Sequence, residues 1–470
     1  MRLFQKIKQY FAPRDLTKGS VMGGIVQFSI PLLIGNVAQQ LYNTVDAVVV
    51  GQYVGDDALG AVGMCGSVLN LLLVLAIGIS TGATIVISQL FGAQDREGMG
   101  RGVGATITLS FLSGILMSVL GYFLTDPLLH LLSTPDSMMA YAHDYLTIFM
   151  LGFTANMLYN ILSGVLRGLG DSISPLLYLL FCAVLNIFLD LFFVLNLHMT
   201  TDGVAWATII SQAISAAMCI IRLMRMKNLF TLTRASLRLD KDITGRIIKL
   251  GVPSGLTQMI FATSNILVQS LINTLGAALV TANTIIMRVD GFAMMPNFTY
   301  GTAATTFTGQ NVGAQRMDRV KEGAKDLMIL ALCSAVVLVG CILVFGPSLM
   351  RIFTNTPEIV DLGASMMRIL AVGYIAFAAS QVTQGVMRGA GETMLPMWIS
   401  IVTTVIIRLP LAYAWAGWTK TAEAPNGQPI CIFGSLLVAW LLGCAINCIV
   451  YASGIWKRAL KTAPKGKENA

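Results

Sequence analysis

The sequence predicts an all-α integral membrane protein, in which twelve transmembrane helices form two six-helix bundles. Three observations support this fold class: the apolar composition, an internal duplication and the distribution of positive charge. The chain of 470 residues is 55% hydrophobic and only 11% charged, with a mean hydropathy of +0.74. Because soluble globular domains are about 25% charged, this composition is typical of a protein that crosses a membrane many times.

Twelve apolar segments are long enough to cross a bilayer, since about 20 helical residues span its hydrocarbon layer. The predicted spans are 24–52, 58–92, 101–124, 137–166, 173–197, 203–226, 250–275, 278–312, 322–346, 358–387, 394–418 and 431–456. A long basic connection, Met226–Lys249, separates two groups of six. The resulting division is an N-terminal segment 1–20, an N-terminal lobe 21–226, a linker 227–249, a C-terminal lobe 250–456 and a basic tail 457–470.

The two groups of six spans are copies of one another. The tripeptide Gly-Ala-Gln at 92–94 recurs at 313–315, and the Arg-Gly turn at 164–170 recurs at 385–391, both at an offset of 221 positions. A register held over such a length indicates a true duplication. Because each copy has an even number of spans, both enter the membrane from the same side. We therefore expect a pseudo-two-fold axis along the membrane normal, with a cavity between the lobes.

Positive charge is concentrated on one side of the predicted membrane. Most of the 31 lysines and arginines lie at the chain ends or in loops on the same side, whereas Arg351 and Lys420 fall on the other. This bias places both termini in the cytoplasm and predicts a multi-pass protein of a bacterial-type cytoplasmic membrane. The segment Met1–Ser20 has no small-residue cleavage site and is predicted to be a retained helix. The net charge of +8 follows from the same bias and predicts no nucleic-acid partner.

Motifs for catalysis and cofactor binding are missing from the sequence. No GxxxxGK[ST] loop, no paired CxxC motif among the eight cysteines and no histidine within a span suited to a hydrolase are present. We therefore predict that the protein is not an enzyme, that it needs no cofactor, and that the only metal it could bind is a coupling Na⁺.

Two carboxylates distinguish the N-terminal copy from the C-terminal copy. Asp46 in the first span falls opposite Val268, and Asp190 in the fifth span falls opposite Leu411. Neither acid is needed to build the fold, since its counterpart is aliphatic. Carboxylates inside spans are costly and are functional by default. They are therefore the primary site candidates.

Further polar residues share helical faces with these acids. Asn186 lies one turn before Asp190, Tyr42 lies one turn before Asp46, and Thr208 in the next span can offer a hydroxyl. Such oxygen ligands can hold a hard cation such as Na⁺, or protons. The predicted coupling-ion site is Asp46, Asn186, Asp190 and Thr208, supported by Gln39, Tyr42 and Asn43, with a helix bend at Pro31.

The C-terminal lobe supplies candidates for a substrate cavity. Arg288 and Asp290 are two positions apart and point in different directions on a helix, whereas Arg408 could face the cavity or pair with Asp290. The candidate lining residues are Met259, Phe261, Arg288, Asp290, Met294, Met295, Phe298, Tyr300 and Arg408. Arg167 and Arg388 recur in both copies, so we interpret them first as structural cations at helix ends and secondly as gating residues.

The chain resembles the multidrug and toxic compound extrusion (MATE) family over about Gly19 to Trp456. The resemblance rests on the duplicated spans, the Gly-Ala-Gln ends, the Arg-Gly turns and the first-span proline. It implies export of amphipathic, often cationic organic compounds in exchange for Na⁺ or H⁺. The branch called DinF is implied to bind its coupling ion at positions that match Asp46, Asn186, Asp190 and Thr208. The acids that the NorM branch adds in spans 7 and 10 are not found in the interior of either span here.

Two other readings remain open at this point. A flippase for lipid-linked precursors in the same superfamily would need a cationic cavity, for which Arg288 and Arg408 are candidates. A passive channel would carry ions without coupling, but a one-sided acid cluster fits it poorly. For each reading the expected partners are membrane lipid and a small molecule, and we expect a monomer.

Overall fold

The computed structural model describes residues 13–132, 134–421 and 425–462, and within them the fold is entirely helical. The elements of the N-terminal lobe are α1 (Val21–Tyr53), α2 (Asp56–Gly92), α3 (Arg96–Leu131), α4 (Asp136–Leu151), α5 (Phe153–Gly168), α6 (Ile173–Leu191, extended by a π-helical turn Phe192–Asn196) and α7 (Thr201–Arg225). Those of the C-terminal lobe are α8 (Lys241–Thr274), α9 (Ala277–Ala293), α10 (Met295–Gly313), α11 (Met317–Arg351), α12 (Pro357–Gly389), α13 (Met394–Ser400, followed by a π-helical stretch Ile401–Ile407), α14 (Arg408–Trp418) and α15 (Ile430–Ser453).

These helices account for the predicted spans. Eleven helical segments in the described part of the chain are long and apolar enough to cross a membrane. Helices α4 and α5 bend by 55° at their junction and together form a twelfth span. Side-chain caps fix several helix starts, since Ser20 accepts a bond from Gly23 N and Asp95 from Gly98 N. The all-α, two-lobe prediction is therefore confirmed.

The duplication extends to backbone conformation. Gln94 and its counterpart Gln315 both adopt a left-handed conformation just beyond their helices, with φ of 56° and 60°. Gly170 and Gly391 do the same at the Arg-Gly turns, with φ of 84° and 94°. A residue in this region terminates a helix by redirecting the chain, and glycine adopts it without a steric penalty. The turns predicted from the repeated glycines are confirmed.

The segment that precedes α1 differs from prediction. The retained helix predicted for Met1–Ser20 lies partly outside the described residues, as does the end of the basic tail. Residues 13–20 form turns and extended chain instead of a helix. Their backbone donors are engaged elsewhere: Arg14 N bonds Gly170 O at 3.1 Å and Leu16 N bonds the Gln310 side chain at 3.0 Å. Tertiary acceptors therefore replace the i−4 carbonyls of a helix.

The first helix of each lobe packs partly against the other lobe. The start of α1 shares a hydrophobic core with α10, α11 and α12, where Phe28 contacts the cluster around Phe307. Residues Ile243 and Ile247 of α8 belong in turn to the core of the N-terminal lobe. At one side of the bundle, the first helix of each lobe therefore packs into the core of the other lobe. This side, where α2 and α10 end and the linker between α7 and α8 lies, is called the linker side below.

The lobes are in close contact on the linker side. Gln89 Nε2 donates to the Gly389 carbonyl at 3.0 Å, and its counterpart Gln310 Nε2 donates to the Gly168 carbonyl at 3.1 Å. Each glutamine therefore holds the end of a helix in the opposite lobe. Arg246 adds a bond of 2.8 Å to the Gln89 side-chain oxygen. These reciprocal bonds close the linker side of the bundle.

A buried ion pair fixes the turn between α5 and α6. The Asp171 side chain is 2% exposed and accepts bonds from Arg222 at 2.8 and 2.9 Å and from the Ser174 hydroxyl at 2.7 Å. Removing one partner of such a pair leaves an uncompensated buried charge. We expect Arg222→Ala to lower the free energy of unfolding by about 3 kcal/mol, measured by thermal unfolding in detergent. The exposed Arg225→Ala is the matched control, and equal stability of the two variants would contradict this role.

Candidate functional site

The two predicted carboxylates meet within the N-terminal lobe. Asp46 lies in the second half of α1 and Asp190 near the end of α6, and the two carboxyl groups are close enough to interact electrostatically. Asp190 and Asn186 are completely buried. Two neighbouring carboxylates repel each other unless a proton or a cation neutralises one of them. This geometry therefore suits a shared proton or a cation held between the oxygens.

The surrounding residues leave these oxygens without donors. In the described part of the chain no hydrogen-bond donor reaches Asp46 Oδ1, Asn186 Oδ1 or either carboxylate oxygen of Asp190. Ion pairs to a lysine or arginine are likewise missing for both acids among the described residues. Buried anionic oxygens without partners carry a large desolvation penalty. The cluster therefore offers the unpaired oxygen ligands that a cation or proton site needs.

The residues predicted to support the two acids differ in how close they lie to them. Asn186 Nδ2 donates to Thr208 Oγ1 at 3.4 Å, and Thr208 donates to the Val204 carbonyl at 3.0 Å. The buried Tyr42 hydroxyl lies beside Asp46 and Thr208. Tyr42 thus lies beside Asp46, and Thr208 contacts Asn186 one helical turn from Asp190.

Gln39 and Asn43 belong to the edge of the site. Gln39 donates to Asn43 Oδ1 at 3.3 Å, and the Asn43 side chain is exposed. Gln39 also lines a cavity of about 280 Å³ that runs past Pro31 and Asn36 of α1. The α-helix continues through Pro31 without interruption. Gln39, two helical turns before Asp46 on α1, therefore connects this polar cavity with the helix that carries the acid.

Tyr145 is a member of this site that the sequence analysis missed. It lies on α4, is 5% exposed, and is close enough to both Asp46 and Asp190 to interact with them electrostatically. The duplication contained a signal for it, since Tyr145 falls opposite Met366 in the second copy. An aromatic hydroxyl present in one lobe only follows the same asymmetry as the two acids.

The ionisable residues of the C-terminal lobe are not arranged as predicted. The Asp290 carboxylate accepts a hydrogen bond from the buried Tyr374 hydroxyl. Arg408 instead donates to Ser264 Oγ and Asn265 Oδ1, at 3.3 and 3.2 Å. The suggested pairing of Arg408 with Asp290 is therefore wrong, because polar groups of α8 lie nearer to the guanidinium.

The predicted lining of the substrate cavity is only partly correct. Phe261 and Phe298 line a cavity of about 200 Å³ between the lobes. The Arg288 side chain is exposed, away from this cavity, and Tyr300 packs beside the core at the start of α1. The candidates outside the described lining are Met259, Arg288, Asp290, Met294, Met295, Tyr300 and Arg408.

The central cavity is lined mostly by polar side chains that were not among the predicted lining residues. Hydroxyls and amides from both lobes surround it, together with Arg167 from α5 and Arg388 from α12. The polar lining residues are Ser80, Thr81, Thr84, Asn160, Arg167, Ser254, Thr257, Gln258, Thr302, Thr305, Gln381, Gln384 and Arg388. Asn160, Arg167 and Thr302 also line the cavity beside Pro31, so the two cavities adjoin.

The family model named MatE matches the chain twice, at residues 31–192 and 253–414. The chain is 30% identical over 444 residues to a probable multidrug resistance protein, YpnP, of Bacillus subtilis (strain 168), covering 94% of this chain and 97% of that protein. It is 25% identical over 457 residues to a probable multidrug resistance protein, NorM, of Thermotoga maritima, covering 94% and 95%.

Solved structures with the same fold support this relationship. An outward-facing multidrug resistance MATE transporter of the MOP superfamily superposes with a TM-score of 0.85, at 23% identity, covering 95% of this chain and 98% of that one. The two family matches coincide with the two lobes and begin at the equivalent prolines, Pro31 and Pro253. The chain therefore belongs to the MatE family of multidrug and toxic compound extrusion transporters.

Proposed function

We propose that this protein is a secondary active antiporter that exports amphipathic organic compounds from the cytoplasm in exchange for H⁺ or Na⁺. The observation that carries the proposal is the neighbouring pair of carboxyl groups, Asp46 and Asp190: Asp190 is fully buried, Asp46 is partly buried, and no described donor reaches Asp46 Oδ1 or either oxygen of Asp190. An acid pair inside a membrane span is costly unless it binds a cation in the working cycle. The similarity to proteins named as multidrug resistance and multidrug export proteins supports the direction of transport.

The transport cycle that we propose is a rocking motion of the two lobes about the central cavity. In this arrangement the reciprocal bonds of Gln89 and Gln310 close the linker side. By the positive-inside rule we assign this side to the cytoplasm of a bacterial-type membrane. Binding of H⁺ or Na⁺ at Asp46 and Asp190 would shift the balance between the two arrangements, because a ligand favours the state that binds it better.

The flippase alternative loses its candidate residues, since Arg288 and Arg408 do not line the central cavity in the described residues. Arg167 and Arg388, however, supply the cationic cavity that it requires. The relatives named as multidrug resistance and multidrug export proteins favour the export of organic compounds. The described lining of the central cavity contains two arginines and no acid, so it does not support the expectation of a cationic substrate. The proposal is therefore restricted to amphipathic organic compounds as a class, carried by a monomer.

Proteoliposomes loaded with a fluorescent dye test the coupling. A sodium gradient and a pH gradient are imposed in separate experiments, with the membrane potential clamped by valinomycin and potassium. We expect one of the two gradients to drive dye movement and the dye to drive the reverse movement of the same ion, since coupling is reciprocal. Dye movement that ignores both gradients, or single-channel currents in planar bilayers, would contradict the antiporter.

A further inference from the structure

Two arginines related by the duplication face one another across the lobes. Arg167 stands one residue before the end of α5, and Arg388 occupies the same position in α12. Both line the central cavity, one from each lobe. A structural cation at a helix end needs only to lie near the last carbonyl groups, and water can solvate it. Their common position on the cavity wall is therefore not explained by the helix ends.

Neither guanidinium has a partner within the described residues. Nε of Arg167 and Nε of Arg388 are both buried without a hydrogen-bond acceptor. Arg222, at the same side of the membrane, shows the alternative, since it is paired with Asp171 at 2.8 Å. The planar guanidinium offers five donors in a fixed fork that matches a carboxylate or another oxyanion. Two such forks beside one cavity make a site for an anionic group.

The remainder of the described lining supports the same interpretation. It contains hydroxyls and side-chain amides, such as Thr84, Gln381 and Gln384, and no aspartate or glutamate. A site for a simple organic cation would instead place acids next to the ligand, since binding sites complement the charge of what they bind. Phe261 and Phe298 provide apolar surface at the same cavity. The cavity thus combines a positively charged polar wall with an aromatic one.

We propose that the central cavity binds the anionic group of an amphipathic organic substrate, a carboxylate or a similar oxyanion, between Arg167 and Arg388. This inference specifies the substrate class of the proposed export function and rests on it. The ligand is a zwitterionic or anionic amphiphile, with its apolar part against Phe261 and Phe298.

The position of the two arginines also connects the ligand with the arrangement of the lobes. Arg167 precedes Gly168, whose carbonyl is held by Gln310, and Arg388 precedes Gly389, whose carbonyl is held by Gln89. An oxyanion bridging both guanidiniums joins the N-terminal and C-terminal lobes next to these two bonds. A bound substrate therefore stabilises the arrangement that is closed on the linker side.

Rhodamine B and its ethyl ester are a matched pair of probes. They share the same aromatic cation, but only rhodamine B carries a free carboxylate at neutral pH. Fluorescence anisotropy of the purified full-length protein in detergent gives the two dissociation constants, after subtraction of protein-free micelles. We expect rhodamine B to bind at least about tenfold more tightly than the ester, a ratio that corresponds to one good charged contact. Equal or tighter binding of the ester would overturn the proposal.

Variants assign the preference to the two arginines. Arg167→Gln combined with Arg388→Gln should bring the ratio of the two dissociation constants close to one. The control is Arg368→Gln, which removes an exposed arginine from the same helix as Arg388 and should leave the ratio unchanged. If the double glutamine variant does not fold, Arg167→Lys and Arg388→Lys keep the charge and lose the fork, and each should lower the ratio. An unchanged ratio in the folded variants contradicts the site.

This measurement is independent of the transport assay. It uses no ion gradient, so a carboxylate preference in a protein that shows no coupled transport would refute only the antiporter. Coupled transport without a carboxylate preference would refute only the anion site.

Discussion

Replacing Asp190 with asparagine is expected to reduce gradient-driven dye efflux to the level of protein-free liposomes, and Asp46→Asn should have the same effect. An asparagine has nearly the same shape as an aspartate, but it cannot take up a proton and has no negative charge to balance a bound sodium ion. Because the two carboxyl groups are close enough to interact electrostatically, we expect them to bind the coupling ion as a pair, so that loss of either member changes the charge of the site. The measurement is the initial rate of dye movement in proteoliposomes under the gradient that drives the wild type.

Asp361→Asn is the matched control for these variants. Asp361 lies on α12 and is exposed, so this variant makes the same substitution at a carboxylate outside the site. Size-exclusion profiles and thermal unfolding show whether each variant is folded. Because Asp46 Oδ1 and both Asp190 oxygens are buried without described donors, neutral replacements of the two acids should not lower stability. Wild-type efflux by either folded variant would remove that residue from the coupling mechanism.

Gly92→Ala and Gly313→Ala are each expected to prevent the lobes from closing on the linker side and to stop turnover. A Cβ at Gly92 would lie 1.8 Å from the Gln310 carbonyl oxygen, and one at Gly313 would lie 1.9 Å from the Gln89 carbonyl oxygen. Both obstacles are backbone atoms of the other lobe, so no rotamer change relieves the overlap. The lobes can only separate, which breaks the bonds from Gln89 and Gln310.

Hydrogen–deuterium exchange measures this separation directly. Amides at the ends of α2 and α10 should exchange faster in Gly92→Ala and Gly313→Ala than in the wild type, because closed contacts protect them. Gly66→Ala is the control, since Gly66 lies on the same helix as Gly92 and a Cβ there would have no neighbour within 4 Å. Wild-type exchange together with wild-type transport in the Gly92 variant would show that these contacts are not part of the cycle.

The duplication allowed much of the site to be predicted. Comparing the two copies separated Asp46 and Asp190 from scaffold residues, because Val268 and Leu411 occupy their positions in the second copy. Helical spacing then placed Asn186 beside Asp190. The structure brings these three residues together, although they lie on two helices far apart in sequence. The asymmetry between copies was therefore the most informative signal in the chain.

The same comparison did not predict that Arg167 and Arg388 line the central cavity. Because both copies contain the arginine, the duplication predicts first a scaffold role. Two residues related by a pseudo-two-fold axis can, however, be repeated for a functional reason, since both lobes face the same cavity. Arg408 shows a second limit, because its partners Ser264 and Asn265 lie on another helix and depend on how α8 packs against α14.

The sequence by itself determined that this protein is a membrane-embedded helical duplication whose N-terminal half carries a pair of acids. Composition, hydropathy and a repeat offset are properties of the chain alone, and they predict the number of spans. The helix ends depend on packing as well, since α8 begins at Lys241, within the predicted linker 227–249. Only the tertiary structure decided which faces meet: the reciprocal packing of α1 and α8, the position of Tyr145, and the polar wall of the central cavity. The physical reason is that lipid is as apolar as a protein core, so hydrophobic residues within a span do not reveal whether they face lipid or another helix.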